Sequence, residues 1–402
     1  MRTSAFLIVV IAVLTACAGG GGTTARPGAT PTPTPTPTPT VIPTPTALPT
    51  IAVNSYPLAS GFQPGSFAGH GSLVAGPDGN LWITECLTIP NVGFGRIGKI
   101  TTSGVLTEYA LTGGVARCPG QITTGPDGAL WFTEYPANNT SPPPALGRID
   151  MSGNITEYPL PASDSSGGSI VLGSDGNLWY DVQSIGGDSA IRGFSPITHG
   201  IIDSVTIPAP MVPGTLVSNP TDGSIVVGTS VNGGGLSDIL QVVPGTSGTY
   251  VVRYSPSSAN SGDWSNLALG LDGKIYVQFV PSSPSGTPPG LAQMNESTYN
   301  MTIFTETQFT QAHGHQSRTA FRGPIIYGPV ANIYVWDEDQ QDDFIGLAAL
   351  STTGTLLAQQ DDPNNFHDVA SGIAIGHDGK IWVAVTNELA SHGSVYQLTP
   401  VH

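Results

Sequence analysis

Cations are scarce in this sequence. Lys and Arg together number 12 in 402 residues against 28 Asp and Glu, a formal net charge of −16. A chain this acidic has no general attraction for nucleic acid, and no basic stripe supplies a local one, so nucleic acid is excluded as a partner. Charge of either sign is sparse at 10% of residues. Long apolar runs are also missing: the ten-residue AFLIVVIAVL (residues 5–14) is too short to cross a bilayer as a permanent helix. Cysteines number three. What the chain has in quantity is Gly and Pro, 52 and 36, which break an apolar composition into many short strands rather than long helices.

The first residues read as a secretory signal. Arg2 is its positive end, residues 5–14 its apolar core, and Ala16 the small residue before cleavage. Leu14-Thr15-Ala16-Cys17 resembles a bacterial lipobox, in which Cys17 becomes the acylated first residue; the alternative is an ordinary signal peptide that happens to end near a cysteine. Lipidation predicts an extracytoplasmic protein of a bacterial envelope, touching the membrane through its lipid anchor alone, with more than one acyl chain needed for stable attachment. Residues 18–50 are glycines followed by PTPTPTPTPT and PTPTALPT. Alternating Pro favours extended polyproline II without a hydrogen-bond ladder, a stalk reaching roughly 100 Å at about 3.1 Å per residue. The expected organisation is a signal peptide over 1–16, a lipidated linker over 17–50 and a folded domain over 51–402.

That domain is a repeat. GPDGNLWITE (76–85), GPDGALWFTE (125–134), GSDGNLWYDV (173–182) and GHDGKIWVAV (376–385) are near-copies. Anchored on Asp78, Asp127, Asp175, Asp222, Asp272 and Asp378, the gaps are 49, 48, 47, 50 and 106 residues. The last gap is two periods, and GPVANIYVWD (328–337) fills its middle with Val330 in place of the Asp. Seven copies of four short strands predict an all-β, seven-bladed β-propeller. In the second copy GQITT (120–124) is the inner strand, GPDG the turn, ALWFTE (129–134) the second strand, LGRID (146–150) the third and NITEYPL (154–160) the outermost. The seventh copy lacks an outer strand, whereas IAVNSYPL (51–58) reads like one. The N-terminal strand is therefore expected to close the ring.

Trp82, Trp131, Trp179 and Trp382 hold equivalent positions, with Tyr276 and Tyr334 there in other copies. Regular placement favours packing between blades over an aromatic ligand platform. The GPDG segments are turns and not phosphate loops, since no Lys-Ser/Thr follows. Strand direction assigns Glu85, Glu134 and Asp337 to second-strand ends on one rim, with His70, Arg117, His313, His315, His367, Asp368 and His392 in loops on that side. His199 and His377 belong on the other rim. This collection admits a small molecule, peptide or envelope protein bound at the central mouth, or a divalent-metal or acid–base site, with Glu134 and Asp337 as cation ligands and His367 and Asp368 as base and orienting group. A solvated rim without a site is the alternative. Cys86 and Cys118 fall on neighbouring blades near this rim, either as a disulfide or as two thiols. A monomer is expected.

GPDGALWFTE, GRIDMSGNITEYPLP (147–161) and GRIGKITTSGVLTEYAL (95–111) resemble the streptogramin B (virginiamycin B) lyase family. NHL-repeat propellers share parts of these motifs. The resemblance implies a seven-bladed propeller that opens a cyclic depsipeptide antibiotic by β-elimination, assisted by Mg²⁺. It also implies catalytic groups in the last two blades: a His before the first strand of blade six, Glu-Pro-His-Gly-Ile opening blade seven, and a Glu ending that blade's second strand. On this chain those positions are Gly323, residues 369–373 (Val-Ala-Ser-Gly-Ile) and Thr386. None can serve as a base or carboxylate ligand. The expectation is a binding module. The alternative is a lyase, or a hydrolase, that uses a rearranged His/carboxylate set such as His367, Asp368 or Glu388.

Overall fold

The computed structural model describes residues 51–402 apart from 60, 65–71, 90–91, 112–116, 137–142, 185–186, 232–236, 247, 256–261, 265, 271, 282–289, 296, 306–323, 329–331, 339–344, 353–355, 362–367, 388–391 and 400–402. Cys17, His70, His313, His315 and His367 therefore lie outside the described residues. Among the described residues there is no helix, and the strands form seven antiparallel sheets. Six follow in chain order, each running from an inner first strand to an outer fourth. Blade 2, for example, consists of Arg117–Thr124, Leu130–Pro136, Ala145–Ile149 and Ile155–Pro159. The seventh takes Asp368–Ile375, Ile381–Asn387 and His392–Leu398 from the C-terminal end and Val53–Pro57 from the N-terminal end. Val53 lies opposite Leu398 and Pro57 opposite Ser394, which closes the ring as the sequence predicts and leaves the last blade no missing strand.

The core is divided rather than central. Seven clusters of buried apolar side chains each fill one interface between neighbouring blades. The repeated tryptophans supply the bulk of four of them: Trp82, Trp131, Trp179 and Trp382 are completely buried. Each indole N–H donates to the turn aspartate four residues earlier, at 3.0 Å for Trp82–Asp78, 3.1 Å for Trp131–Asp127 and 3.2 Å for Trp382–Asp378. The GPDG aspartate is thus an indole acceptor as well as a turn residue. A long polar side chain from the third strand completes the cluster: Lys99 on Asp78 at 2.8 Å, Arg148 on Asp127 at 2.6 Å and Gln397 on Asp378 at 2.9 Å. Burial alone would raise the Asp78 carboxyl, but hydrogen bonds from Lys99, Trp82 and Asn80 hold it at about 2.

The turn's first glycine has a packing reason. A Cβ on Gly125 would stand 2.3 Å from Trp131 Cδ1, so the ring seals the turn only over a residue without a side chain. Blade 4 lacks the tryptophan and has Val226 there. Its Asp222 instead accepts the Tyr299 hydroxyl at 3.2 Å from blade 5, beneath the Arg253 guanidinium.

Outer strands bring a tyrosine onto three of these four indoles, Trp179 being the exception because the outer strand of blade 3 has no tyrosine. Ring centroids are 5.8 Å apart for Trp82–Tyr109, 5.2 Å for Trp131–Tyr158 and 5.6 Å for Trp382–Tyr56. The next blade's last turn closes over that tyrosine. Gly153 has φ +93° and would place a Cβ 2.0 Å from Tyr109 Cε1; Gly104 repeats this against Tyr56 across the ring closure. Gly153→Ala is therefore expected to lower stability by about 1–3 kcal/mol, from a left-handed backbone and a clash with a stacked ring. The urea midpoint by circular dichroism checks it, with Gly128→Ala, whose added Cβ meets nothing within 4 Å, separating backbone strain from crowding.

First strands run longer than the small-residue core of the repeat suggests. A β-bulge between Pro119 and Ile122 shifts the register, so Arg117 pairs opposite Pro136 and lies in a strand rather than a loop. Similar irregularities occur at Pro213–Leu216 and Ala370–Gly372. Asp368 and His392, also expected in loops, likewise begin strands, both opposite Asn387. The inner residues are small so that seven strands fit around the axis, and the bulge allows the outward half to keep pairing beyond them.

Candidate functional site

Glu85 and Glu134 close the repeated LWITE and LWFTE motifs but do not end their strands, which run on to Ile89 and Pro136, and both side chains are completely buried. They point away from the tryptophan side, one residue past Thr84 and Thr133. Those hydroxyls donate to Gly120 and Gly168 carbonyls of the following blade, at 2.7 and 3.1 Å. Third-strand glycines make room for the carboxyls: a Cβ on Gly98 would lie 2.2 Å from Glu85 Oε1, and one on Gly147 2.6 Å from Glu134 Oε1. The rim position expected from strand direction thus becomes an enclosed position, because the lengthened first strand covers the end of the second.

Each buried glutamate faces a second one from the outer strand, Glu108 or Glu157, in the repeated TEY motif. One guanidinium serves each pair, but the two blades supply it from different strands. In blade 1, Arg96 on the third strand stands opposite Glu85, donates to Glu108 Oε2 at 2.7 Å and lies 3.8 Å over the Phe62 ring. In blade 2 that position is Ala145. Arg117 on the first strand replaces it, donating to Glu157 at 2.6 Å, Glu134 at 3.3 Å and the Pro143 carbonyl at 3.0 Å. Blade 3 reverses the arrangement: Asp164, opposite Ser184 where Arg117 is opposite Pro136, accepts from Arg192 of the third strand.

Burial is the chief cause that raises Glu85, Glu134, Asp181 and Asp164 above the ordinary carboxylate range. It raises Glu85 to about 8, with further raising by the Glu108 charge and a carboxyl–carboxyl hydrogen bond, against lowering by Arg96. It raises Glu134 to about 8, with Glu157 adding and Arg117 opposing. Asp181, which accepts the Ser169 N–H, is likewise raised to about 8 by burial. Asp164 is raised by burial, partly offset by Arg192.

Cys86 follows Glu85 directly, and Cys118 follows Arg117. The two are joined by a disulfide with Cα atoms 5.3 Å apart, tying the second strand of blade 1 to the first strand of blade 2. Both residues are buried. Glu85, Glu134, Arg117, Cys86 and Cys118 are therefore brought together around one interface, but as closed carboxyl–guanidinium clusters beside a disulfide. The Glu134 carboxyl already has a cation from the chain itself. Asp337 sits in the second strand of blade 6, Asn332–Glu338, in a different sheet from Glu134 of blade 2. Among the described residues no three His, Cys, Asp or Glu side chains could jointly hold a metal ion. His199 stacks on Tyr158 at 4.6 Å in a turn of blade 3, and His377 sits in a turn of blade 7, both on the rim of the GPDG turns.

Arg96, Glu108, Glu157, Asp164, Asp181 and Arg192 join these clusters without standing out in the sequence by residue type. A signal was available for two: Glu108 and Glu157 recur at the same 49-residue spacing as Glu85 and Glu134. The shift of the cation from Arg96 to Arg117 has no signature in a repeat alignment.

At the inner edge of blade 7, Ala370 and Ile373 are buried in the cluster shared with blade 6, and Ser371 is buried against blade 1. Ser371 Oγ lies 3.0 Å from Ser72 Oγ and donates to the Ala384 carbonyl at 3.3 Å, while the Ser72 N–H donates to the Ser371 carbonyl at 3.2 Å. A Cβ on Gly372 would be 2.7 Å from Ser72 Oγ. Gly323 lies outside the described residues.

Residues 53–209 match the family model described as the Virginiamycin B lyase family. Among solved structures, a streptogramin B lyase is 17% identical with a TM-score of 0.60, covering 87% of this chain and 98% of that one. Virginiamycin B lyase from Staphylococcus aureus is 18% identical with a TM-score of 0.61, covering 87% of this chain and 100% of that one. A catalytically inactive His-to-Ala variant of the Staphylococcus aureus enzyme with quinupristin is 19% identical, TM-score 0.59, covering 87% and 100%. At these identities the likeness establishes the fold. No curated protein matches the chain.

Proposed function

We propose that this virginiamycin B lyase-like propeller is a binding module, displayed outside the cytoplasm on a lipidated stalk, that holds a small molecule, peptide or envelope protein at the mouth of its ring. The carrying observation is the inner edge of blade 7. Where the family resemblance calls for Glu-Pro-His-Gly-Ile and a terminal Glu, the chain has residues 369–373 (Val-Ala-Ser-Gly-Ile) and Thr386. These side chains offer neither a base for an α-proton nor carboxylates for Mg²⁺. They also have another task, since Ser371 and Gly372 form the close contact between blades 7 and 1. The residues at these positions do not fit the family's metal.

The test is incubation of the full chain with a type B streptogramin, with and without Mg²⁺, followed by mass spectrometry and titration calorimetry. The expected result is no ring-opened product under either condition. Magnesium-dependent opening would overturn the reading and assign the chemistry to neighbouring groups such as His367, Asp368 or Glu388. The stalk has its own check: the mass of the N-terminal peptide beginning at Cys17 should carry acyl chains, and an unmodified cysteine would remove the anchor.

A further inference from the structure

Blade 1 sets two carboxyls against one guanidinium, with Glu85 enclosed and Glu108 and Arg96 half-buried. Glu108 Oε2 takes the Arg96 donor, whereas Glu108 Oε1 and both oxygens of Glu85 are buried without a hydrogen-bond donor. Three orphaned oxygens would be costly for two carboxylates, since each buried acceptor without a donor loses its hydration. A proton on Glu85 supplies the missing donor, and the neighbouring acceptor is Glu108.

The charged groups around Glu85 are few. The third strand, Val92–Ile100, brings Arg96, and the outer strand, Leu106–Ala110, brings Glu108. The first strand presents uncharged Phe62–Pro64 opposite it. The first strand of blade 2 brings Arg117, whose guanidinium is engaged by Glu134, Glu157 and the Pro143 carbonyl. Among the described residues the outer strand has one sheet neighbour, the third strand.

We propose that Glu85 and Glu108 share one proton, and that this proton latches the outer strand of blade 1 to the interior, so that the strand loosens in alkaline medium. Loss of the latch releases a single proton to solvent and leaves a buried and a half-buried carboxylate on one Arg96. Glu85 titrates at about 8, above the ordinary 4.5. Between those values the folded chain binds a proton that the unfolded chain does not. The stabilisation is thus complete below the ordinary carboxylate range and is lost as pH climbs through about 8.

Hydrogen exchange of the Leu106–Ala110 amides in the full chain, corrected for intrinsic base catalysis, tests this between pH 6 and 9.5. Protection in the unaltered chain should fall at least tenfold around pH 8. Glu85→Gln, which keeps a donor toward Glu108 and cannot ionise, should hold its protection across the range. Infrared difference spectra between pH 6 and 9.5 give a second readout: the protonated-carboxyl signal should be smaller in Glu85→Gln than in the unaltered chain by the share of one carboxyl, Glu134 and Asp181 supplying the remainder. An identical signal in the two would overturn the shared proton. An equal fall in Glu85→Gln, or in the outer strands of blades 3 and 4, Gly200–Ile207 and Tyr250–Tyr254, which carry no such pair, would overturn the proposal.

Discussion

Trp131→Ala should shift unfolding of the chain to much lower denaturant, a loss of about 3–5 kcal/mol. The indole is completely buried between blades 2 and 3. It stacks on Tyr158 at 5.2 Å and meets Phe194 at 5.9 Å, and its N–H is held by Asp127. Collapse cannot fill the space easily, because the wall on each side is a hydrogen-bonded sheet. Truncation also uncovers Gly125 and removes one partner of Asp127, which keeps Arg148 at 2.6 Å. Trp131→Phe separates these contributions. It retains most of the packing and loses the N–H, so about 1–2 kcal/mol is expected. Urea midpoints for the two variants check the prediction. Equal losses would mean that the Asp127 bond, and not the cavity, carries the effect; a loss below 1 kcal/mol for Trp131→Ala would mean the interface repacks.

Replacing both cysteines, Cys86→Ser with Cys118→Ser, should lower stability by about 3–4 kcal/mol. The bond closes a 32-residue loop, and cross-linking a loop of that length removes about this much free energy from the unfolded ensemble. Each blade is a separate sheet, so a covalent link between the second strand of blade 1 and the first strand of blade 2 adds a restraint that no sheet ladder provides. Both cysteines are buried, so a reductant should act on the native chain only after local opening. The expected pattern is slow reduction without denaturant, then fast reduction near the unfolding midpoint, read by thiol titration. Fast reduction of the native chain would show that this interface opens readily. Unchanged midpoints in the double variant would show that the loop is already constrained when unfolded.

Much of the fold was legible because it repeats. Asp127 and Trp131 recur with Asp78 and Trp82 at one spacing, so their role at one interface could be read as their role at the others. The N-terminal closure was legible for the same reason: IAVNSYPL matches an outer strand, and Tyr56 does take the place on Trp382 that Tyr109 takes on Trp82. Blade 4 shows the limit of that logic. Val226 breaks the pattern, and its replacement, Tyr299, comes from a different repeat.

The candidate site was less legible. Strand direction correctly put Glu85, Glu134, Arg117 and both cysteines at one end of the blades, but exposure depends on what covers that end. The bulged first strands extend over it, which no residue pattern announces. Arg117 and Arg96 perform equivalent tasks from non-equivalent positions, since a guanidinium is long enough to reach a buried carboxyl from either side.

The amino-acid sequence by itself determined the number of blades, the turns, the aromatic packing positions and the closing strand, because period and turn chemistry are local properties repeated along the chain. Only the tertiary structure decided that the glutamates are closed in, which arginine neutralises each pair, and that Cys86 and Cys118 are bonded. Those outcomes depend on distances between side chains of adjacent strands and blades, and these are set by register and bulges once the ring has closed.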